Sequence, residues 1–224
     1  MFSLIPAAGS GSRAATDIPK QYAPLAGRSM LWHAIRAVCV PPVQAVFVVL
    51  SPDDATFATH DWSAFGDRLQ PLYCGGESRR HSVHNGLVAA MDDMDAGDWV
   101  LVHDAARPCL GEADVKRLIA ACENDDVGGI LALPVADTVK REAAQRIDGT
   151  QDRAGLWLAQ TPQMFRAGLL LHALRQARGP VTDEASAVEQ LGLKPRLVAG
   201  SRENLKVTFP EDLAIAESIL KGRK

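Results

Sequence analysis

No run in this 224-residue chain is long and apolar enough to span a membrane, and no charged start followed by an apolar core reads as a signal peptide. An excess of either charge is also missing. The 24 Lys and Arg against 27 Asp and Glu leave a formal net charge of -3. That balance argues against a general nucleic-acid surface, although basic residues near loops can still hold a small anion. Cysteine is limited to Cys39, Cys74, Cys109 and Cys122, with no C-x-x-C spacing. The four read as reduced, mostly buried thiols of a cytoplasmic protein and not as metal ligands. There is no repeat and no low-complexity linker. What the chain does have is 47% hydrophobic content, enough for one α/β domain with a large core.

Residues 4–22 organise the rest. A short apolar run, residues 2–6, reads as a buried strand, and a loop of small residues follows: Ala7, Ala8, Gly9, Ser10, Gly11, Ser12. Small residues let the backbone approach a ligand, and glycines permit the dihedrals that turn several N–H groups toward an anion. Arg13 and Lys20 add positive charge where a polyphosphate would lie. The loop is not a Walker loop, since no Gly-Lys-Ser/Thr follows. It is not a dinucleotide fingerprint, since the third glycine is missing.

Further along, residues 30–40 have the apolar stripe of a helix, with Ser29 as N-cap and Pro41-Pro42 as terminator. Residues 45–50 and 69–74 read as strands, and residues 53–65 as a short helix and loop. A second glycine-led loop, residues 75–82, precedes a helix over 83–91. Residues 99–103 form a strand ending in Asp104, 112–124 a helix, and 129–134 a strand. Helices over 169–177 and 184–191, a strand over 196–199 and a final helix complete the pattern, with Thr208 and Glu211 at capping-box spacing. Alternation of this kind predicts a mostly parallel sheet with helices on both faces, and ligands beyond the carboxyl ends of its strands. Residues 135–155 break the rhythm. They are polar and weakly alternating, and read either as a hairpin-like excursion or as an unstructured insertion.

The segment Val-Leu-Val-His-Asp-Ala-Ala-Arg-Pro, residues 100–108, ends an apolar strand in a carboxylate at the ligand edge. Asp104 suits a hard divalent cation held with substrate phosphates, or alternatively caps a turn. Arg107 suits a bidentate phosphate clamp, or alternatively a surface ion pair. His103 reads as a structural residue, and His33, His60, His81, His84 and His172 receive no role.

Pro-Ala-Ala-Gly-Ser-Gly-Ser-Arg at 6–13, followed by Pro-Lys-Gln-Tyr at 19–22, resembles the signature of the 2-C-methyl-D-erythritol 4-phosphate cytidylyltransferases. These belong to the sugar-nucleotidyltransferase-like folds. His-Asp-Ala-Ala-Arg-Pro at 103–108 resembles the family's metal-binding segment, and residues 75–82 its base-recognition loop. Short matches recur at 134–138, 152–153, 161–163, 182–185 and 204–208, so the resemblance covers nearly the whole chain. It implies a single Rossmann-like α/β nucleotidyltransferase domain with a protruding β-arm. CTP would lie against Pro6, Ala7, Ala8, Gly9, Gly11, Arg13, Lys20, Gly76, Glu77, Ser82 and Asp104. Glu77 departs from the Asp frequent in the family. Arg13, Lys20 and Lys206 would be catalytic, and Asp104 would hold Mg2+. Asp104, Arg107, Thr138, Arg153, Thr161 and Lys206 would face a polyol phosphate, with Thr138 and Arg153 reaching across a homodimer to a shared site. The second catalytic domain fused to some members is not expected. The residues alone leave open another polyol phosphate, such as ribitol 5-phosphate, or a non-catalytic nucleotide-binding regulator. Neither nucleic acid nor membrane is expected as a partner.

Overall fold

Strand β1 (Phe2–Pro6) runs inside the central sheet, where its mostly apolar residues Phe2, Ser3, Leu4 and Ile5 are all buried. The structure, a computed structural model, describes residues 1–9 and 19–223. A two-residue ribbon, β2 (Pro24–Leu25) and β3 (Arg28–Ser29), leads into α1 (Met30–Val38). Then come β4 (Val46–Val49), β5 (Leu69–Leu72), α2 (Arg79–Ala90), β6 (Trp99–Val102) and α3 (Glu112–Cys122). The second half holds β7 (Gly128–Pro134), β8 (Val139–Ala143), β9 (Arg146–Gln151), β10 (Trp157–Arg166), α4 (Ala167–Gln176), α5 (Glu184–Glu189), β11 (Arg196–Ala199) and α6 (Pro210–Gly222).

Seven strands form one sheet in the order β11-β7-β10-β6-β1-β4-β5, all parallel to their neighbours except β10, which is antiparallel to both β6 and β7. Alternate residues of each strand feed two cores. Ile5, Val46, Val48 and Leu101 meet Leu31, Ile35 and Leu118 of α1 and α3 on one face. Leu4, Phe47, Val49 and Val100 meet Val83, Leu87, Leu170 and Leu174 of α2 and α4 on the other. Each fully buried side chain of this kind contributes about 1.5–3 kcal/mol. The chain leaves β1 toward β4 on one side and later returns to β6 on the other. The carboxyl ends of β1 and β6 therefore flank the switch point where open α/β sheets bind ligands. A third, smaller core of Leu25, Met30, Cys109, Val207 and Ala216 fastens α6 and the segment before it to this edge.

Several boundaries differ from those read in the sequence. Helix α2 begins at Arg79 and not at residue 83, because the Ser78 hydroxyl accepts the His81 N–H and caps it there. Ser82 thus lies inside the helix. The final helix is capped through Asp212, not Glu211: its Oδ2 accepts the Thr208 and Phe209 N–H groups at 2.7 and 2.8 Å. Strand β10 had no strand signature, since Pro162 interrupts it and the register shifts between Ala159 and Gln163. Residues 135–155 form a paired hairpin, β8 with β9, turning through Ala144 and Gln145 at φ 50° and 62°. The unstructured alternative is excluded for this segment.

Candidate active site

The two glycine-led loops meet beyond the sheet edge. Ala7 N–H donates to Val49 O at 2.8 Å, and Gln21 Nε2 donates to Ala7 O at 2.8 Å, which fixes the start of the first loop. Gly75 N–H donates to Leu50 O at 2.8 Å and sets the second loop alongside. A Cβ at Gly75 would stand 2.2 Å from Ala8 Cβ, so the approach of the loops requires glycine there. Ser82 Oγ accepts the Gly76 N–H at 3.0 Å and closes the second loop onto α2. Between the loops lies a cavity of about 460 Å3. Pro6, Ala7, Ala8, Gly9, Lys20, Gly76, Glu77, Ser82, Asp104 and Lys206 all line it. Gly11 and Arg13 lie outside the described residues. Lys20 Nζ donates to Thr208 O at 3.1 Å.

Asp104 follows β6 and lies among three cations. Arg79 Nε donates to its Oδ1 at 3.0 Å, Lys206 Nζ stands 2.8 Å from Oδ2, and Arg107 Nε lies 3.8 Å from Oδ2. Burial would raise the pKa of this carboxyl, but the Arg79, Lys206 and Arg107 cations outweigh it and hold it well below the usual carboxylate range. An ionised oxygen donor at a cavity wall suits Mg2+, which takes one carboxylate together with substrate phosphates. Among the described residues no cluster of three or more His, Cys, Asp or Glu forms a self-sufficient metal cage.

On the far side of Asp104 is a second cavity of about 230 Å3, lined by Arg107, Thr161, Gln163 and Asp183 among others. Thr161 Oγ1 accepts the Asp104 N–H at 3.0 Å and lies 3.0 Å from His103 Nδ1. His103 Nε2 faces Arg107 O at 3.0 Å, so it must carry the ring proton, and the Thr161 hydroxyl donates to Nδ1. Burial pushes His103 down to about 4, leaving it neutral. The Arg107 guanidinium is engaged with the chain's own carbonyls, Asn204 O at 2.7 Å and Ala159 O at 3.3 Å, rather than open as a fork toward the cavity. Asn204 Nδ2 donates to Thr161 O at 2.8 Å, which ties β10 to the extended segment carrying Lys206. Thr138 and Arg153 lie on the arm and line neither cavity; Arg153 Nη1 donates to Ala136 O.

Sequence reasoning assigned nothing to Gln21, Arg79, Glu184 or Asn204. The only available signal was their position inside segments already singled out. Their roles come from contacts across the chain, such as Arg79 Nη1 to Glu184 Oε1 at 2.6 Å.

The start of a small-residue loop, Ala7–Gly9, beside an ionised carboxylate and two lysines at the switch point of an α/β sheet has the arrangement of a nucleotidyltransferase-type site. The family model for 2-C-methyl-D-erythritol 4-phosphate cytidylyltransferase matches residues 1–222. Proteins of that description from Dechloromonas aromatica and Nitrosospira multiformis are each 54% identical, over 225 and 228 residues, covering all of this chain and 98% of theirs. A crystal structure of a 4-diphosphocytidyl-2C-methyl-D-erythritol synthase superposes with a TM-score of 0.87 at 40% identity, covering 98% of this chain and 97% of that one. The Thermus thermophilus 2-C-methyl-D-erythritol 4-phosphate cytidylyltransferase gives 0.81 at 31% identity, covering 98% of each. The chain belongs to the 2-C-methyl-D-erythritol 4-phosphate cytidylyltransferase family.

Proposed function

We propose that this chain transfers CMP from CTP to 2-C-methyl-D-erythritol 4-phosphate, a step of non-mevalonate isoprenoid biosynthesis. A phosphate oxygen of the polyol attacks the α-phosphorus. The bond from that phosphorus to the bridging oxygen breaks, and pyrophosphate leaves with the electron pair. The attacking oxygen is already an anion, so no general base is required, in keeping with a neutral, fully engaged His103. The task of the protein is to align the two substrates and stabilise charge. Lys20, Arg13 and Lys206 supply the cations. Mg2+ held by Asp104 would neutralise phosphate charge.

One observation carries the reading: two cavities, one between the glycine-led loops and one toward β10, share a wall made of Arg79, Asp104 and Lys206. In-line transfer needs the acceptor oxygen and the leaving pyrophosphate on opposite sides of the α-phosphorus, and two cavities that meet at these side chains let the acceptor phosphate reach a nucleotide α-phosphate held there. A homodimer is part of the proposal. It is supported by exposed Ile147, Trp157 and Leu158 on the arm and its base, and by Thr138 and Arg153 lying away from both cavities of their own chain. So is a cytoplasmic location, supported by four free thiols. Pyrophosphate release with CTP, Mg2+ and a panel of polyol phosphates tests the assignment. The expected result is turnover with 2-C-methyl-D-erythritol 4-phosphate far above that with ribitol 5-phosphate. Preference for ribitol 5-phosphate, or no turnover with any polyol phosphate, rejects it.

A further inference from the structure

We propose that Arg79 is a positioning residue for the transfer step, with Glu184 as its anchor: together they fix which oxygen of Asp104 is open to the substrates. The inference rests on the two-substrate reading above. Arg79 is the first residue of α2, directly after the second glycine-led loop, and its side chain reaches the wall between the two cavities. One edge of the guanidinium is gripped by Glu184, Nη1 to Oε1 at 2.6 Å and Nη2 to Oε2 at 3.0 Å. The other edge meets Asp104 Oδ1, with Nε at 3.0 Å and Nη2 at 2.9 Å. Such a planar fork fixes direction as well as charge, which a lysine ammonium cannot do.

Glu184 is 1% exposed and lines neither cavity, so it acts on the substrates only through Arg79. It is itself held firmly. Asp183 caps the start of α5 by accepting the Ser186 N–H at 2.9 Å and also accepts from Gln163 Nε2 of β10 at 2.8 Å. Gln163 Oε1 in turn accepts the Ala185 N–H at 2.8 Å. A buried ion pair of this kind adds little net stability compared with apolar packing, so its value here lies in placement. With Oδ1 reserved by Arg79, Oδ2 is the exchangeable oxygen. Its nearest partner is Lys206 at 2.8 Å, a half-exposed side chain that can leave it for a substrate phosphate, with Arg107 Nε at 3.8 Å. Arg79 also joins the loop that borders the nucleotide cavity to the carboxylate at the transfer point.

The test compares Arg79→Lys, Arg79→Met, Glu184→Gln and the Arg79→Met/Glu184→Gln double variant with the parent. The readouts are steady-state pyrophosphate release, calorimetric CTP binding and thermal melting. Absence of parental turnover would be a failure of the proposed function; loss confined to the variants bears on Arg79. Misplacement of a reacting group by about 1 Å costs about 10²-fold. Arg79→Lys and Arg79→Met should therefore lose kcat on that scale, while the CTP dissociation constant of the folded variants stays within about threefold. Glu184→Gln should lower kcat by itself but add nothing in the Arg79→Met background, because it acts through the same group. Parental kcat per folded molecule in Arg79→Lys and Arg79→Met makes Arg79 a brace only and overturns the proposal. So does a Glu184→Gln loss that multiplies in full in the double variant. If Arg79→Met fails to fold, Arg79→Lys combined with Glu184→Gln gives the same comparison.

Discussion

Replacing Thr161 by valine keeps the branched shape of the side chain and removes one hydroxyl. That hydroxyl serves two buried partners, accepting from Asp104 N–H and donating to His103 Nδ1, each at 3.0 Å. Among the described residues neither partner has a substitute. The histidine cannot escape by changing tautomer, since its Nε2 proton already bonds Arg107 O at 3.0 Å. An orphaned buried polar group costs about 1–3 kcal/mol, so the pair should cost about 2–6 kcal/mol, less a little for the added methyl. We expect a net loss of about 2–4 kcal/mol, which for a chain of this size lowers the melting temperature by about 5–15 °C. Urea unfolding followed by circular dichroism measures it directly. Thr161→Ser, which keeps the hydroxyl, should recover most of the loss. A Thr161→Val protein within about 1 kcal/mol of the parent, or a Thr161→Ser variant as unstable as Thr161→Val, would refute the bonding scheme.

Lys20→Ala should lower kcat by about 10²–10³, the scale for losing one preorganised donor to developing charge, while leaving CTP binding much less affected; near-normal turnover would remove Lys20 from the chemistry. Mixing Arg153→Ala with Lys20→Ala chains should give heterodimers with one intact site, at about half the parental activity, if Arg153 serves the neighbour as independent shared sites require; verified heterodimers without any parental-like site would show that it serves its own chain. His103 titrates at about 4 folded against 6.5 unfolded, so the unfolded state binds more protons between those values, and stability is full above 6.5 and falls as pH drops through that window. The loss attributable to it is about 3 kcal/mol, and His103→Gln should flatten the pH dependence of the urea midpoint; a parental slope in that variant would assign the dependence elsewhere.

Much of the scaffold was legible because local pattern and tertiary outcome agree. Continuous apolar runs such as Val46–Val49 became buried parallel strands, and Ala7, Ala8 and Gly9 lie beyond the end of β1, where only a glycine at 75 can pass Ala8. Asp104 was legible for the same reason, as a carboxylate at the end of an apolar strand. What escaped depends on partners distant in sequence. Arg79 looked like one of two arginines in a polar loop until Glu184, 105 residues away, gave it a direction. Asn204 looked like a loop residue, yet its amide bridges to Thr161 O and its carbonyl receives Arg107. Strand β10 escaped because its buried polar residues, Gln160 and Gln163, donate their side-chain amides to groups distant in sequence, Ser201 O and Asp183 Oδ2, which no period along the chain announces.

The antiparallel placement of β10 has a consequence for how the molecule is made. On the ribosome, β1, β4, β5 and β6 emerge first and can pair among themselves. Strand β7 emerges next, but its seat beside β6 is separated by the position that β10 will fill. Until residues 157–166 have been synthesised, past the whole hairpin, β7 has no in-sheet neighbour, and Ile130, Leu131 and Ala132 have no finished core to enter. Strand β11 comes later still and can attach only through β7. Released chains truncated just after residue 134 should therefore carry an unpaired apolar strand, the kind of surface that chaperones and aggregates both capture, whereas chains that extend beyond β10 should not.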